Sequence, residues 1–254
     1  MASAPVDDPI AALRAAPDRT GILADFDGTL SSIVDDPAVA LPVRGVVDTL
    51  GALAKRYRRV AVVSGRPVSF LVPLLPRSLT ISGLYGLEEV RRGRRRDHPV
   101  AGAWREVIDD VASVSRANGP PGMLVEPKGL SLTLHYRGHP GIEDDVRRWA
   151  ERQAARSGLV CRPARMSFEL HPPIDIDKGT AIRELASGLD AVCYLGDDLG
   201  DLRAFAALDE LAERGVMAVR VGVNSGEAPT ALVDRADLVV EGPAGALDFL
   251  RRLL

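Results

Sequence analysis

Five short apolar runs, most of them separated by helical patterns, constrain the fold of this chain more than any other feature. They are Ile22–Ala24, Val60–Val63, Val192–Leu195, Ala218–Val223 and Leu238–Val240. Each is short and β-branched or aliphatic, which is typical of buried strands. Apolar residues recur at helical spacing in three further segments, Pro42–Lys55, Gly179–Ala186 and Leu202–Leu211. Pro243 opens a last helix. The alternation predicts an α/β fold, a mostly parallel sheet covered by helices on both faces.

The middle of the chain follows a different order. From about residue 103 to residue 171 the pattern is helix, strand, strand, helix, strand, strand. Leu130–Arg137 alternates apolar and polar residues, which predicts a half-buried strand whose face with Ser131, Thr133, His135 and Arg137 is open to water. We therefore predict an α+β domain over residues 103–174, inserted into an α/β domain formed by residues 1–102 and 175–254.

Composition and charge argue against several classes of partner. The 254 residues are 46% hydrophobic and 26% charged, with a formal net charge of −3, which is ordinary for a globular protein. This balance favours a small-molecule substrate over a nucleic acid or a membrane surface. The arginine-rich run Arg91–Arg96 is interpreted as a solvated loop, because the chain is acidic as a whole.

Several features of the sequence indicate a cytoplasmic protein. Cys161 and Cys193 lie in apolar stretches and suggest no disulfide framework, which fits a reducing compartment. Residues 1–19 lack the basic start and apolar core of a signal peptide and are expected to form a loose tail or a short helix. No apolar stretch approaches the roughly 20 residues that a membrane span requires. We expect a monomer.

Four polar segments follow predicted strands or begin a predicted helix. They are Asp25-Phe26-Asp27-Gly28-Thr29, Ser64-Gly65-Arg66, Asp177-Lys178-Gly179-Thr180 and Gly196-Asp197-Asp198-Leu199-Gly200-Asp201. Ligands of open α/β sheets bind at the carboxyl ends of the strands, so the four segments are expected to converge. Carboxylates at the ends of buried strands are costly unless a metal or a reacting group uses them.

The residue types in these segments suit phosphoryl chemistry. Clustered carboxylates favour a hard cation such as Mg²⁺, and Ser64, Arg66 and Lys178 carry the donors that a phosphoryl group needs. One aspartate can attack phosphorus while a second protonates the leaving oxygen. Each segment alone also fits a structural role, as a turn with surface aspartates, a capping serine, a solvated helix start or an acidic calcium-like loop.

Together and in this order, the four segments resemble the motifs of the haloacid dehalogenase-like superfamily of phosphotransferases. The insertion lies between the second and third motifs, as in members with a C2-type cap. The finer similarity, which covers nearly the whole chain after the first ~20 residues, is to the trehalose-6-phosphate phosphatases. It is carried by the first two motifs with their flanking residues, Asp25–Val34 and Val63–Arg66, and by Tyr85–Glu88, Glu126–Ser131 and His135–Arg137. The resemblance implies a Rossmann-like three-layer core with an inserted cap that selects the substrate.

The resemblance also implies roles for the catalytic residues by position. Asp25 would be the nucleophile and a Mg²⁺ ligand. Asp27 would be the general acid and base and would bind the metal through its backbone carbonyl. Ser64 and Lys178 would hold the transferring phosphoryl group, with Arg66 nearby as a further substrate-binding residue.

The remaining ligands follow from the same resemblance. Asp197 would complete the metal site, and Asp198 and Asp201 would support it directly or through water. In the cap, the residues expected to bind sugar hydroxyls are Glu126, Lys128 and Glu169. For these three a solvated charge pair is the alternative, and for His135 and Arg137 substrate and structural roles are equally compatible with the pattern. The other histidines, at positions 98, 139 and 171, are expected on the surface.

Two positions depart from the family pattern. Gly200 stands where relatives commonly have threonine, and Tyr85 stands where many have histidine.

The function predicted from the resemblance is hydrolysis of trehalose 6-phosphate through an aspartyl-phosphate, the last step of trehalose biosynthesis. The first alternative is a phosphatase for another sugar phosphate, such as sucrose phosphate or mannosyl-3-phosphoglycerate. The second alternative is a non-catalytic regulator that binds sugar phosphates, against which the intact Asp25, Asp27, Lys178 and Asp197 argue.

Overall fold

The computed structural model describes residues 8–34, 36–164, 166–225 and 228–254, which divide into two compact units. The core unit contains the described residues up to Arg96 together with Ile176–Leu254, and the inserted unit is Asp97–Asp175. The sequence placed the insertion at 103–174, a few residues shorter. In the structure it starts at Asp97, which forms an ion pair with Arg105 in the first helix of the inserted unit.

The strands and helices are numbered here in chain order. The strands are β1 Thr20–Ala24, β2 Arg59–Val63, β3 Thr80–Gly83, β4 Glu88–Arg91, β5 Arg94–Asp97, β6 Leu124–Pro127, β7 Leu132–His135, β8 Val160–Ala164, β9 Ser167–His171, β10 Ala191–Gly196, β11 Met217–Asn224 and β12 Leu238–Glu241. The α-helices are α1 Pro9–Ala15, α2 Val46–Arg56, α3 Val68–Leu71, α4 Arg105–Asn118, α5 Glu143–Ser157, α6 Lys178–Leu185, α7 Asp201–Glu213, α8 Thr230–Val233 and α9 Gly242–Arg252. The structure of residues 1–7 lies outside the described part.

The core unit is built on one sheet with the strand order β12-β11-β10-β1-β2-β3-β4-β5. The strands from β12 to β3 are parallel, and β4 turns back antiparallel to β3. The central strand β1 lies between β10 and β2, with Leu23 opposite Tyr194 on one side and Ala61 on the other. The predicted parallel sheet is confirmed, and the carboxyl ends of β1, β2 and β10 are side by side.

Helices cover both faces of this sheet, as the strand–helix alternation predicts. Neighbouring residues of β1 point to opposite faces, so Ile22 and Leu23 belong to different hydrophobic clusters. The cluster with Ile22 is shared with α2 and α9, and the cluster with Leu23 is shared with α6 and α7. The three-layer arrangement fixes the strand ends rigidly, since every strand around β1 is buried on both faces.

The helix predicted over Pro42–Lys55 begins four residues later, at Val46. Pro42 instead forms an isolated bridge with Ser31. Gly45, directly before the helix, has a left-handed backbone with φ of +98°, which interrupts the helical path. The segment before α2 therefore closes the loop that carries the end of β1.

The arginine-rich run is an edge hairpin, so its assignment to a loop is wrong. Residues 91–96 span the end of β4, a two-residue turn and most of β5, and all of them are exposed. Arg92 and Gly93 both have positive φ, the backbone that tight hairpin turns require. Charged side chains on an edge strand oppose pairing with other chains, which gives this run a structural purpose.

The inserted unit is a four-stranded antiparallel sheet with the order β6-β7-β9-β8. Its apolar face packs on α4 and α5 through a core that includes Ile108, Leu132 and Val146. On the polar face one row crosses all four strands, Glu126, Thr133, Glu169 and Arg162. The α+β architecture is confirmed.

The prediction that the polar face of this sheet is open to water is wrong. Thr133 and Glu169 are 1% and 6% exposed. The Thr133 hydroxyl donates to Glu169 Oε1, and the Lys128 ammonium lies over the same oxygen. These hydrogen bonds between neighbouring polar side chains take the place of hydrogen bonds to water on this face. None of the helices in the described ranges has the length and apolar character needed to span a bilayer.

Candidate active site

The nucleophile candidate, Asp25, is the first residue after the central strand β1. Its backbone N–H donates to the Leu195 carbonyl of β10, which extends the pairing of the two strands by one step. The side chain is buried. Gly28 turns the chain after it, with φ of +73°, and a Cβ at this position would lie 1.9 Å from Asp197 Oδ2. Glycine is therefore required for the end of β1 to approach the loop that follows β10.

Lys178, the first residue of α6, joins the acidic residues of the site. Its Nζ lies 2.7 Å from Asp201 Oδ1, 3.1 Å from Asp25 Oδ2 and 3.6 Å from Asp198 Oδ1. The ammonium is buried, and these carboxylates raise its pKa well above the ordinary value against the opposing effect of burial. Lys178 therefore stays charged and brings motifs separated by more than a hundred residues to one point.

Asp201 is fully buried and accepts hydrogen bonds from four donors. Its Oδ2 accepts from the backbone N–H groups of Asp197 and Asp198, at 2.9 and 3.0 Å. Its Oδ1 accepts from Lys178 and from the Tyr194 hydroxyl. With both oxygens saturated, Asp201 fixes the loop after β10. The sequence predicts a metal-supporting role for Asp201 but not its contact with Tyr194. The signal for that contact is a tyrosine within an apolar buried strand, which needs a partner for its hydroxyl.

The carboxylates around Lys178 form a group that can hold a cation. Oxygen atoms of Asp25, Asp197 and Asp201 lie within 4.8 Å of one another. Burial raises the pKa of Asp25 well above its ordinary value, and the Lys178 ammonium offsets only part of this. Burial and the neighbouring Asp201 and Asp198 raise the pKa of Asp197 to about 7. Four carboxylates, those of Asp25, Asp197, Asp198 and Asp201, thus share one ammonium, and hard carboxylate oxygens suit Mg²⁺.

Asp27 does not belong to this acidic group. Both of its carboxylate oxygens accept from the Arg66 guanidinium, Oδ2 from Nε and Oδ1 from Nη2, each at 2.7 Å. Arg66 was expected near the transferring phosphoryl group, and in the structure its side chain holds the proposed acid and base.

Ser64 directly follows the neighbouring strand β2 and is buried. Its hydroxyl accepts from the backbone N–H of Arg66 at 3.1 Å, and its carbonyl accepts from the N–H of Tyr85. Tyr85 has φ of +60°, an uncommon backbone for a bulky residue, and its hydroxyl covers Gly65 so closely that a Cβ there would lie 2.6 Å away. The departure from histidine at position 85 thus places a phenol on the turn that presents Ser64.

The inserted unit holds a second polar cluster centred on Glu169. Lys128 Nζ lies 2.9 Å from Glu169 Oε1, and His171 Nε2 lies 3.0 Å from Oε2. Burial alone would raise the pKa of Glu169, but the Lys128 ammonium and the His171 ring hold it well below its usual range. His171 is 4% exposed, so its expected surface position is wrong. Its place two residues after Glu169 on one strand could have indicated a shared face.

Glu126 joins this cluster from the edge strand β6. Its Oε2 lies 2.7 Å from His135 Nε2 and 4.0 Å from Lys128 Nζ. Arg137 stands apart, since its buried Nε has no hydrogen-bond partner among the described residues. Four of the five residues predicted for sugar binding are therefore in mutual contact on one face.

Replacing Glu169 by glutamine is expected to lower the free energy of unfolding at pH 7 by about 1–3 kcal/mol, because it weakens buried charge-assisted hydrogen bonds. The carboxylate has a depressed pKa in the folded state, so its contribution is present above the unfolded value of 4.5 and is lost as the pH falls below it. The difference between the two proteins should shrink between pH 5 and pH 3 in urea titrations. The matched variant Glu106→Gln, on an exposed helix position, should show no such dependence. A pH-independent difference for Glu169→Gln would contradict the assignment.

Comparison with known proteins identifies relatives of this chain. Residues 23–236 match the model of the trehalose-phosphatase family. The chain is 33% identical over 248 residues to the trehalose-phosphate phosphatase of Mycobacterium ulcerans, and 30% identical over 252 residues to that of Mycobacterium leprae. These alignments cover 92% of this chain, but 61% and 57% of the relatives. The chain thus spans about three fifths of the length of these curated relatives.

Solved structures share the fold. A trehalose-6-phosphate phosphatase related protein superposes with a TM-score of 0.78 at 23% identity, covering 91% of this chain and 95% of that one. The C-terminal domain of the Candida albicans trehalose-6-phosphate phosphatase gives 0.77 at 21% identity, covering 96% and 95%. At this identity the likeness concerns the fold.

Proposed function

The chain belongs to the trehalose-phosphatase family, and from that premise we propose that it hydrolyses trehalose 6-phosphate to trehalose and inorganic phosphate. One observation carries the proposal. The buried Asp25 lies 3.1 Å from the Lys178 ammonium, within an acidic group at the carboxyl ends of β1 and β10. A nucleophilic carboxylate beside a fixed cation suits phosphoryl transfer through an aspartyl-phosphate.

Asp25 attacks phosphorus, and the bond between phosphorus and the sugar oxygen breaks as the aspartyl-phosphate forms. Asp27 gives a proton to the departing sugar oxygen and then takes one from the water that cleaves the intermediate. Inorganic phosphate leaves, and both aspartates return to their starting states. Ser64 and Lys178 bind the phosphoryl oxygens throughout, since a hydroxyl and an ammonium compensate the charge that accumulates there.

Mg²⁺ fits the charge of this site. We assign Asp25, Asp197 and the backbone carbonyl of Asp27 as its protein ligands, with Asp198 and Asp201 supporting them. When bound, the ion neutralises phosphoryl charge as a Lewis acid. Asp201 acts through the loop, because its own oxygens already accept from four donors.

The reaction sets a demanding target for these groups. Uncatalysed phosphate-monoester hydrolysis is among the slowest known reactions, so the site must lower the barrier by on the order of 20 kcal/mol or more. Phosphoryl transfer involves little covalent chemistry beyond the attack, and positioning and charge neutralisation provide most of the effect. The rigid strand ends around β1 suit that task.

We assign the recognition of the sugar to the polar face of the inserted unit. Glu126, Lys128, His135, Arg137 and Glu169 offer both donors and acceptors there. Glu169 is held in place by Lys128 and His171, so its oxygens have a fixed direction. A site built to bind hydroxyl groups rejects analogues that lack them, because its buried polar groups are then left unpaired.

Replacing Glu169 by alanine is expected to raise KM for trehalose 6-phosphate about 10-fold or more, the effect of one lost hydrogen bond to a charged group. The constants for a small aryl phosphate, which has no sugar to bind, should change much less. Steady-state phosphate release with both substrates measures the difference. Glu106→Ala, on an exposed position of α4, is the matched control. Equal effects of Glu169→Ala on both substrates would make Glu169 a structural residue.

A substrate panel tests the function directly. Phosphate release is measured with trehalose 6-phosphate, sucrose phosphate and mannosyl-3-phosphoglycerate, each with and without Mg²⁺. We expect the highest kcat/KM for trehalose 6-phosphate and a strict requirement for the ion. Release only from the other two would refute the assigned substrate but keep the phosphatase. No release from any of them would favour the non-catalytic regulator.

A further inference from the structure

The guanidinium of Arg66 and the carboxylate of Asp27 form a bidentate ion pair at the edge of the catalytic site. This pair of parallel hydrogen bonds is called the fork below. Both N···O distances are 2.7 Å, in the parallel geometry that makes such pairs strong and directional. The Arg66 side chain is 10% exposed, and the Asp27 side chain is 40% exposed. The arginine is thus the buried, fixed partner, and the aspartate is the partner on the open side.

Arg66 makes further contacts besides the one with Asp27. Its Cζ lies 4.3 Å from the centre of the Phe70 ring, a cation–π contact, and Phe70 packs edge-on against Phe26. Its backbone N–H donates to the Ser64 hydroxyl. Because Phe26 lies between Asp25 and Asp27 in the chain, the aromatic pair links the position of Arg66 to the motif that carries the nucleophile.

We propose that Arg66 is a positioning residue that acts through Asp27, directing its carboxylate toward the leaving oxygen, and that it does not bind the phosphoryl group. The inference deepens the proposed function and rests on it. The Nε–Nη2 edge of the Arg66 guanidinium donates to both carboxylate oxygens of Asp27, so this edge binds Asp27 and not a phosphoryl group. Asp27 also lies outside the acidic group of Asp25, Asp197 and Asp201, so the fork separates the proton-transferring carboxylate from the attacking one.

The proton balance is consistent with this role. Asp27 enters the first step protonated, so the oxygen that carries the proton gives up its hydrogen bond from Arg66, while the hydrogen bond to the other oxygen keeps the carboxyl group in place. The proton passes to the sugar oxygen as its bond to phosphorus breaks. A proton from the attacking water replaces it in the second step, so Arg66 gains and loses nothing.

A double-mutant cycle separates positioning from phosphate binding. We expect Arg66→Ala to lower kcat for trehalose 6-phosphate about 10- to 100-fold, which is part of the roughly 10²–10⁴-fold that general acid catalysis contributes, with little change in KM. For para-nitrophenyl phosphate, whose leaving group needs no proton, the loss should be smaller. In the Asp27→Ala background, Arg66→Ala should have almost no further effect. A full additional loss in that background, or a raised KM for both substrates, would overturn the proposal.

Two further measurements keep the test decisive. Arg66→Lys keeps the positive charge and removes the two parallel hydrogen bonds. If Arg66→Ala does not fold, Arg66→Lys takes its place in the cycle, and the effects expected for Arg66→Ala then apply to it. Binding of inorganic phosphate, measured by calorimetry, should be the same in Arg66→Lys and in the unmodified protein. Weakened phosphate binding in Arg66→Lys would overturn the proposal, and this test does not require turnover. Inactivity on every sugar phosphate would refute the proposed function alone.

The chain offers a matched control for the loss of a fork. Arg183 Nε and Nη2 pair with the two oxygens of Glu210, both at 2.8 Å, on an exposed surface of the core unit. Arg183→Ala removes the same geometry away from the strand ends. It should leave kcat and KM for both substrates unchanged.

Discussion

Asp25→Asn is expected to abolish turnover while leaving the fold intact. Asparagine has the same size and shape, but its amide oxygen does not attack phosphorus to form an acyl phosphate. Loss of a nucleophile lowers kcat on the order of 10⁴-fold or more, because the remaining groups bind the substrate but do not form the covalent intermediate. Initial rates with trehalose 6-phosphate at saturating Mg²⁺ measure the effect, and substantial residual turnover would show that another residue attacks.

The stability of Asp25→Asn, unlike its activity, is not expected to fall. Asp25 is a buried carboxylate whose pKa burial raises, with Lys178 offsetting only part of the cost. Removing its charge should therefore leave the melting temperature in the absence of metal unchanged or higher. Asp248→Asn, at an exposed position of α9, is the matched control and should affect neither activity nor melting. A marked loss of stability in Asp25→Asn would mean that its charge is needed by the fold.

Lys178→Met is expected to lower the free energy of unfolding by about 3–5 kcal/mol and to remove activity. The ammonium lies 2.7 Å from Asp201 Oδ1 and 3.1 Å from Asp25 Oδ2, and all three side chains are buried. Methionine fills most of the volume and leaves both carboxylates without their cation. Breaking a buried pair by removing one partner is far more costly than the net value of the pair, because the remaining charge is uncompensated.

Mg²⁺ should restore part of the stability of Lys178→Met, since a cation among the same carboxylates replaces some of the lost charge. Urea unfolding with and without the ion measures this, and activity should stay absent because the phosphoryl group still lacks the ammonium. Lys55→Met, at an exposed position of α2, is the control and should lose little stability. A loss near zero for Lys178→Met without Mg²⁺ would contradict the assigned role of the ammonium in the acidic group.

The arrangement of the strand ends was predictable because it depends on local patterns. Ile22–Ala24, Val60–Val63 and Val192–Leu195 are each followed at once by polar residues. In a parallel sheet the carboxyl ends of strands lie on one edge, so convergence required no knowledge of contacts. The structure places Asp25, Ser64 and Asp197 on that edge directly after β1, β2 and β10.

The partners of individual side chains were much less predictable. His171 was expected on the surface and is buried against Glu169. The arginine-rich run was expected as a loop and forms an edge hairpin. In both cases strand pairing decides the environment of the side chains.

By itself, the sequence determined the layered α/β fold, the inserted α+β unit and the set of residues able to perform phosphoryl chemistry. Hydrophobic periodicity and the residue types after each strand are properties of short segments, so they can be recognised without the tertiary structure. Only the tertiary structure decided that Arg66 pairs with Asp27, 39 residues away, and that Tyr194 and Lys178 saturate Asp201. Such pairings depend on side-chain direction and distance between distant segments, which no local pattern encodes.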